Sequence, residues 1–398
     1  MLKNVLKVLS GGVLAQALNF LTFPIIASWY GPGAFGDYAV FSFFIAFLPM
    51  LMSLRMEMAI MQDPDDFEKN SLIFLSLINS VFILIVCLVI SIFFSGSIRL
   101  EIVIISSSAF LISLQNMMIS VANLKEKYWV LAITRVIFPM FFLLNVWITK
   151  EQNLSYPLAT SHMFTSILVV IFIFIASNYR VEIVKLEQIV KVLKKYVNYI
   201  KFDLPSGLLN ASALLLPAYL IGILFDEESS GLYFLAFKLI LAPLGALTMA
   251  VGYVYRREAV KEFNEKKSFI ISTQKVTMFL VALSIMMLIT YYSIGPLIFE
   301  LFFKEDWLPA IPVISILMPM FAIKLIASPL SFSFYIVGKL KLDLYGQLFF
   351  ITSSVIAIFS GFFFSDFILT VYFIALSSGF VYVIYALKSI QFSKGEAI

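Results

Sequence analysis

Apolar runs of about twenty residues, separated by short polar turns, follow one another along the chain from end to end. A helix needs about twenty apolar residues to cross a hydrocarbon core. The pattern therefore predicts membrane helices at 8–29, 37–60, 71–94, 98–122, 129–149, 155–177, 203–225, 231–255, 269–291, 309–334, 343–364 and 367–388. Lys3 and Lys7 ahead of the first run imitate a signal peptide. No small-residue cleavage site follows, so that run reads as the first span. The expected fold is an all-α polytopic membrane protein of twelve transmembrane helices.

One connection stands apart. Residues 178–202 carry Val181, Val184, Ile189, Leu193, Tyr196 and Ile200 among basic side chains. That pattern predicts an amphipathic basic helix on the cytoplasmic membrane surface. A plain linker helix between two halves fits it equally well. Either way it divides the chain into two six-helix lobes, 1–177 and 203–398. The lobes echo each other: Pro24, Gly36-Asp37-Tyr38 and Pro49 recur as Pro217, Gly231-Leu232-Tyr233 and Pro243, at offsets that agree to within two residues. With six spans between the copies, both lobes enter the membrane in one direction, a parallel pseudo-repeat. Prolines inside spans remove a backbone hydrogen bond and bend the helix. Pro24, Pro49, Pro217 and Pro243 are accordingly the candidate hinges, with Pro319 and Pro329 further along.

Composition supports the class. Of 398 residues 61% are hydrophobic and 13% charged, with a mean hydropathy of +0.99. So few charges do not cover the surface of a water-soluble protein of this size. The placement of charge says more than its +4 sum. Twenty-one of the 28 Lys and Arg residues fall in segments on one side of the twelve spans, and three on the other. The positive-inside rule then puts both termini in the cytoplasm. A lone Cys87 and a lone His162 leave no disulfide framework and no metal spacing. His162 reads as a satisfied polar residue near a span end. The Gly31–Gly36 turn lacks the lysine of a phosphate-binding loop. No enzyme constellation, cofactor motif or nucleic-acid-binding feature emerges.

Four basic residues lie inside spans: Arg55, Arg135, Lys238 and Lys324. Each costs roughly 2.5–3.5 kcal/mol at a bilayer centre, so each is expected to face the interior or an aqueous cavity. Lys324 lies nearest the middle of its span, while Lys238, Arg55 and Arg135 sit closer to an end. Glu57 is not expected to partner Arg55, because residues two apart on a helix point to different faces. Positive charge in a cavity calls for an anionic ligand, and Arg and Lys suit phosphate.

Phe23-Pro24 to Gly36-Asp37-Tyr38, Leu54-Arg55-Met56-Glu57-Met58-Ala59-Ile60 and Tyr128-Trp129-Val130-Leu131-Ala132-Ile133-Thr134-Arg135 resemble the oligosaccharide flippases of the multidrug/oligosaccharidyl-lipid/polysaccharide exporter superfamily. Phe303-Lys304-Glu305-Asp306-Trp307 and Ser328-Pro329-Leu330-Ser331 continue the likeness. The resemblance implies two six-helix bundles around a cation-lined cavity, working by alternating access. It implies an undecaprenyl-diphosphate-linked oligosaccharide repeat unit as cargo, moved across a bacterial inner membrane for O-antigen or capsule assembly. A glycan polymerase and a chain-length regulator would be pathway partners, and membrane lipids the surroundings. Arg55 is similar in place to a cavity arginine of the lipid II flippases. The multidrug-antiporter branch is expected to carry an acid in its first span, and this chain offers only Gln16 and Asn19 there. A proton- or sodium-coupled small-molecule antiporter is therefore the second reading. A membrane-embedded glycosyl-transferring enzyme is the third, set against by outward loops of under about a dozen residues.

Overall fold

Eleven helices among the described residues are long and apolar enough to cross a membrane. The computed structural model describes residues 16–62, 64–152, 154–177 and 184–395. Of the expected first span, the apolar helix Gln16–Ala27 (α1) falls within that range. The chain continues through α2 (Pro32–Ser53), α3 (Met56–Ile60), α4 (Asp66–Ile92), α5 (Gly96–Leu124), α6 (Tyr128–Thr149), α7 (Pro157–Ser177) and α8 (Leu186–Lys195). After a π turn at Tyr199–Asp203 come α9 (Leu204–Leu224), α10 (Glu227–Lys266), α11 (Ile270–Phe302) and α12 (Ala310–Leu330). Then follow the short α13 (Ser333–Ile336), α14 (Leu340–Phe363) and α15 (Phe367–Ser393). The fold class is all-helical, as the apolar pattern predicts, and the described residues contain no strand.

Local chemistry sets where the helices begin. Asp65, Asp226 and Asp366 cap α4, α10 and α15, each accepting from a backbone N–H three residues on, at 2.7, 2.6 and 2.9 Å. These bonds satisfy donors that helix N-termini otherwise leave orphaned. Pro32 and Pro157 open α2 and α7, where a missing N–H costs nothing. At the other end, the Lys127 ammonium donates to the last carbonyls of α7, Ala176 and Ser177, at 3.0 Å each. A cation there also meets the negative end of the helix dipole.

Three departures from the sequence pattern are instructive. α10 does not stop at residue 255 but runs to Lys266, carrying Arg256, Arg257 and Lys261 on its extension. Forty residues make a helix about 60 Å long, twice what the hydrocarbon requires. Its far end is tied by Glu262, whose carboxylate accepts from the backbone of Ile271 and Ser272 at the start of α11. Pro139 and Pro296 also lie inside helices, α6 and α11. Finally, the expected continuous span 37–60 is broken at Leu54 and Arg55, both left-handed (φ 53° and 60°).

The chain folds as two compact units, one of residues 1–22 and 37–216 and the other of 23–36 and 217–398. Of the three boundaries, one falls a residue before Pro24, one directly after Gly36 and one at Pro217. In the first unit a core of Met56, Leu72, Met117, Val121, Val130 and Val169 lies where α3 to α7 converge. Here Val192 of α8 and Tyr196 directly after it are buried in the same cluster, so part of the helix's apolar face meets protein. Glu68 clamps it, accepting from Lys195 at 2.5 Å and from the Tyr196 hydroxyl at 2.9 Å. That carboxylate holds the Lys195 ammonium above its ordinary pKa. Residues 178–183 of the linker lie outside the described residues, as does Asp63 of the acidic turn.

In the second unit Trp307 is the largest fully buried side chain. Its indole N–H donates to the carbonyls of Ala27 (2.9 Å) and Tyr30 (3.2 Å), and its ring meets Phe35 edge-on at 4.8 Å. The repeat shows itself here in backbone contact. A Cβ placed on Gly36 would fall on the carbonyl of Glu227, and one on Gly231 would fall on the carbonyl of Pro32. The matched glycines thus let the first turns of α2 and α10 touch, an approach that a side chain on either would prevent.

Candidate functional site

Arg55 belongs to the first unit, and its surroundings differ from those expected. Each left-handed non-glycine residue costs roughly 1–2 kcal/mol. The break at Leu54–Arg55 also frees carbonyls of α2, which a membrane interior does not forgive. Three polar side chains of α4 answer them. Asn79 donates to Leu51 and Met52 at 2.9 Å, Ser80 to Met52 and Ser76 to Ser53 at 3.0 Å. Sequence reading passed over these three because Ser and Asn in an apolar run look incidental. The break is a built feature, with its polar groups satisfied.

The same break redirects the charges. Arg55 Nε donates to Asp203 at 2.7 Å, and its Nη1 lies 3.6 Å from Glu57. The expectation that Glu57 could not reach Arg55 assumed a continuous helix, and the left-handed turn removes that assumption. Asp203 was missed altogether, although an acid directly before Leu204-Pro205 at a span entrance was a readable signal. Gly207, one turn into α9, makes room for the guanidinium: a Cβ there would sit 3.3 Å from Arg55 Nε. Arg55 is therefore a cation flanked by two carboxylates.

Lys238 and Lys324 belong to the second unit, on α10 and α12, and are held differently. Neither lies within ion-pair distance of a carboxylate among the described residues. Both face aromatic rings. The Lys238 ammonium stands 5.0 Å over Phe234, one turn back on its own helix. Lys324 stands 5.4, 5.7 and 5.6 Å over Phe321, Phe237 and Tyr382. Phe237 and Phe321 themselves touch at 5.5 Å, so the sequence-predicted lysine of α12 meets a ring adjacent in sequence to the other. A desolvated cation–π contact is worth about 2 kcal/mol. At partly exposed sites each contact is worth less, so against an insertion cost of roughly 2.5–3.5 kcal/mol three rings offset more at Lys324 than one ring does at Lys238. Both remain partly exposed.

Arg135 is exposed on α6, and no ion pair engages it among the described residues. His162 is buried in the first unit in a nest of rings, with Phe138 at 4.9 Å, Phe41 at 5.1 Å and Phe142 at 5.9 Å. Pro24, Pro49, Pro217 and Pro243 lie within α1, α2, α9 and α10. Among the described residues no three His, Cys, Asp or Glu side chains converge as a metal site would require.

The family profile described as polysaccharide biosynthesis protein matches residues 25–312. Among solved structures, the lipid II flippase MurJ in an inward closed conformation superposes with a TM-score of 0.78 at 15% identity, over 95% of this chain and 86% of that one. An inward-facing multidrug resistance MATE family transporter of the MOP superfamily gives 0.70 at 15% identity, over 96% of both chains. A MOP superfamily transporter from Pyrococcus furiosus gives 0.56 at 14% identity, over 100% and 97%. No curated protein matches the chain. At these identities the superpositions speak for the fold.

Proposed function

Because the chain belongs to the family of polysaccharide biosynthesis proteins and has the fold of MurJ and the MATE transporters, we propose that it flips an undecaprenyl-diphosphate-linked oligosaccharide. The repeat unit moves from the cytoplasmic to the periplasmic leaflet of a bacterial inner membrane, for O-antigen or capsule assembly. The protein works by alternating access as a transporter and not as an enzyme. Both termini lie in the cytoplasm, as the charge asymmetry of the turns supports. A glycan polymerase and a chain-length regulator are its pathway partners.

The observation that carries this reading is the pair Lys238 and Lys324, two intramembrane ammonium groups that face rings and have no carboxylate within ion-pair distance among the described residues. A cationic drug or a transported cation would be repelled there, whereas a diphosphate is attracted. Lys238 takes the larger share, since its charge is the less compensated. Arg135 and Arg55 are secondary contributors, Arg55 only when it leaves Asp203 or Glu57.

The test is complementation of a strain that lacks its own flippase and cannot display surface glycan. Lys238→Ala is expected to abolish display while membrane abundance stays normal, and Lys238→Arg to restore most of it. Lys324→Ala is expected to reduce display less severely. Normal display in both alanine variants overturns the assignment.

A further inference from the structure

In the first unit a pocket of about 540 Å³ opens where the linker helix α8 meets the turn before α4. Gln62, Asp65 and Glu68, from that turn and the start of α4, line one side. Lys195, Tyr196, Asn198 and Tyr199, from the end of α8 and the segment after it, line the other. Pockets that take small molecules measure about 300–1000 Å³, so this one is of ligand size. In the orientation read above, this end of the unit faces the cytoplasm.

The clamp that docks α8 also shapes this pocket. Glu68 accepts from Lys195 at 2.5 and 2.6 Å and from the Tyr196 hydroxyl at 2.9 Å, so both of its oxygens are occupied. The end of α8 is thereby held on α4, and the gap stays beside the clamp. Asp65 gives one oxygen to the N–H of Glu68 at 2.7 Å, and its other oxygen accepts from no described residue. The side-chain amides of Gln62 and Asn198 and the hydroxyl of Tyr199 likewise bond no other described residue. Tyr196 is buried, whereas Tyr199, its neighbour at 6.2 Å between ring centroids, is only half-buried.

The lining narrows the occupant. Two carboxylates stand against one ammonium, so the pocket does not attract a phosphate. No metal-ligating set of three His, Cys, Asp or Glu forms here among the described residues. What the lining offers is mixed: two amides that donate and accept, a carboxylate oxygen that accepts, and a hydroxyl that does both. The ring of Tyr199 stands with them. Neutral molecules with many hydroxyls and apolar ring faces match that set, and sugars are such molecules. Position agrees with chemistry. Gln62 lies seven residues after Arg55, about 10 Å along α3 and the turn that follows it. Tyr199 opens the π turn that ends at Asp203, the carboxylate 2.7 Å from Arg55. In a lipid-linked oligosaccharide the first sugar follows directly on the diphosphate, so sugar-binding groups one short helix away from a cation suit that order.

We propose that this pocket binds sugars of the lipid-linked repeat unit at the cytoplasmic end of the first unit. Gln62, Asn198 and Asp65 bond the hydroxyls, and Tyr199 lies against a ring face. The inference rests on the flippase reading above and adds to it a place for the sugars, apart from the cations that attract the diphosphate.

The test uses the full chain in phosphatidylcholine nanodiscs. The probe is the water-soluble oligosaccharide freed by mild acid from the lipid-linked intermediates of a flippase-deficient strain whose glycan display the chain restores. Titration by saturation-transfer NMR is expected to show its sugar protons in contact with the protein. Gln62 and Asn198 are exposed, so Gln62→Ala and Asn198→Ala change the pocket without unpacking a helix. Each is expected to weaken binding about fivefold, as loss of one neutral hydrogen bond does. Tyr199→Leu, which keeps bulk but removes the flat ring, is expected to lose most of the signal. Size-exclusion profiles show whether that variant folds, and the two amide variants carry the comparison if it does not. Unaltered affinity in both amide variants overturns the assignment, and so does absence of saturation transfer in the parent chain. Either result, with Lys238→Ala still abolishing glycan display, sinks the sugar pocket and leaves the flippase reading standing. Normal display in both Lys238→Ala and Lys324→Ala sinks that reading and this inference with it.

Discussion

Arg55 shows how far one side chain's role depends on its neighbours. As a bare intramembrane arginine it is an anomaly that calls for an anion. Placed 2.7 Å from Asp203 and 3.6 Å from Glu57, it is largely answered from within the protein. Asp203 is appreciably exposed, so the pair contributes less than a fully buried one. Asp203→Ala is expected to destabilise the protein by about 1–2 kcal/mol, and Arg55→Ala by a similar amount. The double variant is expected to lose clearly less than the sum, because both single changes break the same ion pair. Thermal unfolding in detergent measures this, and strict additivity contradicts the pairing. Lys238 is the opposite case. It has one ring at 5.0 Å and no carboxylate within ion-pair distance among the described residues, and we propose the anionic substrate as its partner.

Helices in this protein are interrupted in two physically different ways. Proline interrupts by chemistry that the sequence displays, and six of the prolines inside helices were legible as such. The break between α2 and α3 contains neither proline nor glycine. It exists because α4 supplies Ser76, Asn79 and Ser80 at the height where three carbonyls come free. No local propensity announces such a break, since the donors lie more than twenty residues away in sequence. We propose Pro24, Pro49, Pro217 and Pro243 as the bending points of the transport cycle. Replacing each with alanine restores an N–H and straightens the helix. Glycan display is expected to fall in the alanine variants while thermal stability holds or rises. Unchanged display in all four removes the hinge assignment.

At the scale of the whole molecule, the repeat becomes a contact. Gly36 and Gly231 were read as matched marks in two halves of a sequence. In the fold they lie where the first turns of α2 and α10 meet, each under a carbonyl of the other turn. A methyl group on either collides with backbone, which cannot swing away as a side chain can. Gly36→Ala and Gly231→Ala are each expected to cost about 1–3 kcal/mol, as overpacking of a tight contact does. A thermal scan that finds either variant as stable as the parent overturns the close approach. The 40-residue α10 belongs to this scale too, because Glu262 near its far end caps α11 and ties the two helices together at their turn.

By itself the sequence determined the medium, the helices and their number to within the described residues. Hydrocarbon demands runs of apolar residues and satisfied backbone, and both are written locally. It also determined which side chains were out of place, since a lysine in an apolar run is visible without a fold. Only the tertiary structure decided what each of those charges faces. Asp203 reaches Arg55 from 148 residues away, and Tyr382 reaches Lys324 from another helix. Contacts of that separation follow from packing, which no single stretch of sequence encodes. The bend of α12 follows the same rule: Pro319 was legible, but the Tyr292 hydroxyl that donates to the Ser315 carbonyl comes from α11 and is brought there by packing.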